Sequence, residues 1–200
     1  MSDTLIINTE SDQVKQSIPI FNLVNEDDPI LREVLPEFDF ANPPVNPAEF
    51  ASSLVETCIA NRGYGLSANQ CGFRHRVFVM GHGTEYVAYY NPKIISLSEE
   101  TTHMAEGCLS FPLLELKITR PSGIVVEYQD YNGETKKVNY VGLSARVFLH
   151  ELDHMNGIVY TDKCKPLAMK MAKQKRLKMK KLVDRYQKAQ KKIEFENLAN

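Results

Sequence analysis

His150, Glu151 and His154 form the stretch HELDH, an HExxH pattern whose residue types suit metal-assisted hydrolysis. On a helix, side chains four residues apart share a face, so the two imidazoles can grip one ion while Glu151, one step round, reaches a water on it. A catalytic site of this kind takes three protein ligands and leaves one position for water, so one ligand has to come from elsewhere. A downstream glutamate or a third histidine after xxGxx would supply it, but neither is evident: MNGIVYTDK follows His154, and no later histidine exists. The other candidates are His75, His82, His103, a late carboxylate such as Asp162, or a cysteine. Cys108 is the best placed by its surroundings, EGCLSFP at 106–112, where the small Gly107 lets backbone come close to a site.

These groups need elements to hold them. LSARVFLHELDHMNG has a helical pattern, with apolar Phe148, Leu149, Leu152 and Met155 around the motif and Gly157 as its end. An earlier helix is expected in NPPVNPAEFASSLVETCIANRGYG, capped by Asn46, with Pro47 in the first helical position and Glu49 three residues after the cap. Phe50, Leu54 and Cys58 then make one stripe, and Gly63 ends it. Between the two, RVFVM, YVAYYNP, KIISLS, ELKITRP, GIVVEYQD and KKVNYV read as short strands, with a hairpin at Tyr131, Asn132 and Gly133. A long helix starts near Pro166. The expected class is α+β: mixed or antiparallel strands around the HExxH helix, closed by a long C-terminal helix.

A chain of 200 residues, 43% hydrophobic and 24% charged, suits one domain with a sizeable core. That domain is expected over 21–200, after an N-terminal extension of residues 1–20 that is expected to be poorly ordered. No secretory leader opens the sequence, and no apolar run reaches the ~18 residues of a membrane span. Cys58, Cys71, Cys108 and Cys164 have no paired spacing, which suits a reducing, cytoplasmic setting where a thiol is free to ligate or attack. The formal net charge of -1 hides an asymmetry: residues 1–163 hold 12 Lys and Arg against 22 Asp and Glu, while residues 164–192 hold 12 basic residues and one acid, Asp184.

GYGLSANQ at 63–70, EGCLSFP at 106–112 and HELDH at 150–154, in this order, resemble the three signature motifs of the peptide deformylases. DDPILREV at 27–34 resembles the early DPxLR segment of the same family. The resemblance implies a hydrolase that removes the N-formyl group from the initiator methionine of nascent polypeptides and releases formate. It implies Cys108, His150 and His154 as ligands of one divalent ion, typically ferrous iron and replaceable by zinc, nickel or cobalt. Glu151 is then the proton carrier, and Gln70 with the Leu109 N–H supplies donors to the oxyanion. Main chain around Tyr64, Gly65 and Gly107 pairs with the N-formylmethionyl peptide. Helix geometry adds that Leu143 and Val147 share the metal-facing stripe with His150, where with Tyr64 they can line an apolar pocket.

Two departures from that pattern stand out. Ser67 replaces an alanine that many members carry, a change expected to leave the turn intact. Arg146 stands where many members have an apolar pocket residue, and is expected either to extend to solvent or to bias the pocket toward a carboxylate or a particular second residue. On the last helix, Met179, Leu182, Val183 and Tyr186 form a stripe expected to dock on the body, and the lysine face suits contact with ribosomal RNA. Two rival readings stay open: a metal-free thiol hydrolase using Cys108 and His150, and a non-catalytic RNA-binding module stabilised by a structural metal.

Overall fold

The computed structural model describes residues 18–198, with side chains described to 191. All but the last three residues of the expected N-terminal extension lie outside that range. Two sheets form. The larger has strand order β1-β2-β3-β6-β7, built from β1 (Gly65–Ser67), β2 (Val77–His82), β3 (Glu85–Leu97), β6 (Gly123–Gln129) and β7 (Thr135–Val141). The smaller pairs β4 (Thr101–Glu106) with β5 (Leu116–Pro121). Every pairing among the described residues is antiparallel, so the mixed alternative is not realised. No helix intervenes between β2 and β7, and a parallel pair would need such a crossover.

Alternation along β2 and β3 decides which helix lies on which face. Val77, Val79, Ala88 and Tyr90 point toward α1 (Pro47–Ala60) and pack with Phe50, Leu54 and Cys58. Phe78, Met80 and Tyr89 point the other way, toward α2 (Gly142–Met155), and pack with Phe148, Leu149 and Leu152. A strand covered on both faces needs apolar residues at both parities, which is why RVFVM reads as an unbroken run. The α2 helix is thus held against the sheet by one side while HELDH passes beside it.

Both helices end in the same backbone device with different residues. After α2, Gly157 takes φ 69°, its N–H donates to His154 O, and the next N–H, of Ile158, donates to Asp153 O. After α1 the left-handed position falls on Arg62, at φ 57°, and not on Gly63. YVAYYNP and KIISLS, read as separate strands, are one strand broken in register after Tyr90. Asn91 takes φ 49° there and exchanges hydrogen bonds with Phe38. The strands β1 and β4 escaped the sequence reading because GLS is too short and TTHMAE lacks apolar alternation.

A third apolar cluster joins Ile30, Leu31, Phe111, Leu114, Leu116, Ile118 and Tyr160 beneath the start of α3 (Pro166–Leu198). Here the expected docking stripe holds only in part: Val183 is half-buried and Met179 shares a cavity wall with residues of the body. The helix packs through Met169 and Ala172, while Leu182 is 57% and Tyr186 66% exposed. Its 33 residues span ~50 Å, and side chains from Leu182 to Tyr186 are largely exposed. Among the described residues no helix is long and apolar enough to cross a membrane.

Gly157 also lies where a Cβ would sit 2.5 Å from the Arg32 carbonyl oxygen, a backbone atom that cannot move aside alone. Gly157→Ala should therefore cost at least the ~1–3 kcal/mol of a non-glycine residue in this conformation, read as a lower urea midpoint. A parental midpoint would refute the close approach.

Candidate metal centre and active site

The strand–loop–helix arrangement brings three distant donors together. The ligand atoms of Cys108, His150 and His154 all lie within 4.8 Å of one another. Cys108 Sγ is 3.4 Å from His154 Nε2. The other early candidates fall elsewhere. His75 packs among Phe38, Phe50 and Phe73, His82 lies against Tyr64, His103 bonds Thr119, and Asp162 pairs with Arg32.

The donor set fits a divalent transition metal. A thiolate with two imidazoles suits ferrous iron, zinc, cobalt or nickel, and three ligands leave room for a fourth, exchangeable one. Burial and the charges of His150, Arg120 and Arg32 push the His154 pKa well down, keeping it in the neutral form that can ligate. At His150 burial also pushes downward, but Cys108, Glu106 and Glu151 outweigh it and raise the pKa to about 10. The same negative surroundings that favour a proton there favour a metal cation.

His150 is aimed by Glu106, the last residue of β4, whose Oε2 lies 3.0 Å from Nδ1. Glu106 also accepts from Arg120 Nε at 2.6 Å and Nη2 at 2.8 Å, and from Arg146 Nη1 at 2.6 Å. Arg120 in turn donates to Asp153 Oδ2 at 2.6 Å. Burial alone would raise the Glu106 carboxyl, but hydrogen bonds from Arg120 and His150 hold it far below the usual carboxylate range. This corrects one expectation for Arg146: at 2% exposure it does not extend to solvent, but it does line the cleft described below. Its two Nη atoms donate to Glu106, the Ile118 carbonyl and Thr102, while its Nε has no partner among the described residues.

Sequence reasoning missed Glu106, Arg120 and Asp153 as parts of the site. A signal existed: Arg120 follows Leu116 and Ile118 at the inward parity of β5, and a buried arginine requires an acid partner.

Beside the donors, Glu151 is buried and accepts a 2.7 Å hydrogen bond from Ser67 Oγ at Oε2. Burial pushes its carboxyl above the ordinary carboxylate range, against the opposing pull of His150, Ser67 and Arg120. Gly65 is needed for space and not for a turn, since a Cβ there would meet Glu151 Oε1 at 2.5 Å. Gln70 accepts the Ser67 N–H at Oε1, 2.9 Å away. Its Nε2 therefore turns to Cys108 Sγ at 3.2 Å and Ser110 Oγ at 3.3 Å, the side chains flanking Leu109.

A cleft of about 580 Å³ opens onto this group. Tyr64, Gly65, Gly107, Leu143 and Val147, all expected to meet substrate, line it, as do Gln70, Cys108, Leu109, His150 and Glu151. His154 lies beneath, fully buried. Pro112 and Leu113 add to the wall without having been anticipated.

The sequence profile of the polypeptide deformylase family matches residues 20–170. The chain belongs to that family. It is 43% identical over 124 residues to the peptide deformylase of Thermotoga neapolitana, across 62% of this chain and 75% of the relative. Among solved structures, the Thermotoga maritima peptide deformylase is similar with a TM-score of 0.68 and 36% identity, over 74% of this chain and 99% of the other. The Synechococcus elongatus peptide deformylase, solved in complex with actinonin, gives 0.74 and 27% identity over 86% and 94%. The chain is accordingly a deformylase-type enzyme, acting to remove N-formyl groups from nascent peptides.

In this deformylase fold the Glu106 contact to His150 should govern metal affinity. Glu106→Gln removes the negative charge and is expected to weaken metal binding about 10- to 100-fold in a chelator competition titration. Unchanged affinity would show that His150 needs no such partner.

Proposed function

We propose that the chain is a metal-dependent deformylase that hydrolyses the N-formyl group of the initiator methionine, yielding formate and a free α-amine. The observation that carries this reading is the meeting of Cys108, His150 and His154 beside Glu151 at the floor of the cleft. Held by those three side chains, a divalent ion acidifies water and polarises a carbonyl. Ferrous iron is the ion proposed for the cell, with zinc, nickel or cobalt able to replace it.

Each remaining group has a task that its position supports. Glu151, with its raised pKa, takes a proton from the attacking water and returns it to the leaving amine. The Gln70 amide and the Leu109 N–H donate to the oxygen of the formyl carbonyl as negative charge develops, and loss of one such donor typically costs about 10²- to 10³-fold. The methionine side chain lies against Leu143, Val147 and Tyr64, while the peptide pairs with main chain at Gly65 and Gly107. Arg146 lines the same cleft with its charge paired to Glu106, and the apolar contacts for that side chain come from Leu143, Val147 and Tyr64.

Free cysteines and a nascent-chain substrate fit a reducing cytoplasm. The lysines of α3 are read as a contact for ribosomal RNA, supported by their exposure beyond the docked part of the helix. Glu151→Ala should keep its metal yet lose turnover of formyl-Met-Ala-Ser, whereas Cys108→Ser should lose the metal itself. Retained turnover in the first variant would sink the mechanism, and activity surviving chelation would favour the thiol hydrolase. For the helix, changing Lys178, Lys181 and Lys188 together to Glu should weaken ribosome pelleting and flatten its salt dependence. Equal, salt-insensitive pelleting by parent and variant would exclude the RNA contact.

A further inference from the structure

Ser67 has only a tolerated place in the turn when read from sequence, yet it touches two groups of the site. It is fully buried at the end of β1, and its hydroxyl can donate to Glu151 Oε2 at 2.7 Å or less favourably to the Glu151 carbonyl at 3.3 Å. The other carboxylate oxygen, Oε1, faces Gly65 so closely that no side chain could intervene. Oε2 is thus fixed by a donated hydrogen bond, while Oε1 lies over Gly65, where the missing side chain leaves room for it. The terminal torsion of a glutamate is broad and roughly two-fold, so its own rotamer preference does not set the plane of the carboxylate.

The main chain of Ser67 acts on the second group. Its N–H occupies Gln70 Oε1 and so decides that the amide nitrogen, and not the oxygen, faces Cys108. We propose that Ser67 is a positioning residue for the deformylation step, setting the Glu151 carboxylate through its hydroxyl while its N–H sets the Gln70 amide. This deepens the proposed function and rests on Glu151 being its proton carrier. The proton path is unchanged, since the Ser67 hydroxyl keeps its own proton and only orients the acceptor.

The hydroxyl can be removed without disturbing the N–H. In Ser67→Ala the Glu151 carboxylate loses its charge-assisted donor and is free to rotate, which should lower kcat for formyl-Met-Ala-Ser about tenfold. KM should stay within about twofold, because no substrate-lining group is removed, and melting temperature and bound metal per chain should match the parent. Loss of general packing would instead lower the melting temperature, and loss of substrate contact would raise KM. The proposal is overturned if kcat stays within about twofold of the parent, or if the loss is carried by KM. Full turnover in Glu151→Ala would refute the proton-carrier reading itself, whereas an inactive Glu151→Ala beside a fully active Ser67→Ala would refute only the role of Ser67.

Discussion

The site depends on a buried carboxylate, that of Glu106, and on the nitrogen donors gathered around it. Arg120 from β5 and Arg146 and His150 from α2 converge on it, and Asp153 takes the far side of Arg120. Burying one such charge alone costs several kcal/mol, so each member holds its place only while the others are present. Two arginines set against Glu106 and Asp153 leave the group close to neutral, which lets it sit in the interior. The consequence is mechanical: the smaller sheet, which leads into the Cys108 loop, is joined to the helix that bears both histidines.

The larger sheet supplies the rest of the frame. Because β2 and β3 are covered on both faces, α1 and α2 are fixed relative to one another through the same strands. β1 lies at the edge of that sheet, and the turn after it carries Gln70. Gly65 and Ser67 from this strand meet Glu151 from α2, so the edge of the sheet closes on the HExxH helix at that carboxylate. The cleft is the space left between that edge, the loop from Gly107 to Leu113 and the exposed side of α2.

Much of this was legible in the chain. His150, Glu151 and His154 declare a helix face by spacing alone, and the period of Leu143 and Val147 puts them on that face. Asn46 announces the start of α1, and its side chain does accept from Ala48 N and Glu49 N. Other parts were not legible because their signals are not periodic. β4 has threonine and exposed residues where a core strand would alternate, and it forms because β5 supplies its ladder. The stripe on α3 was misread in part because an apolar pattern shows which face of a helix is greasy, not how far the body beneath it extends.

The sequence by itself determined which atoms could do chemistry: two imidazoles and a carboxylate at helical spacing, an isolated thiol, and an amide in GYGLSANQ. It determined these because local periodicity and residue type are properties of short segments. Only the tertiary structure decided that Cys108 and not His75, His82, His103 or Asp162 meets His150 and His154, since that depends on where a loop from one sheet meets a helix from another layer. It likewise decided that Arg146 faces inward to Glu106 and that Ser67 faces Glu151, contacts spanning 40 and 84 residues of chain. Long-range pairings of single polar groups leave no repeating mark in a sequence, because each is selected by one partner, brought close only by packing.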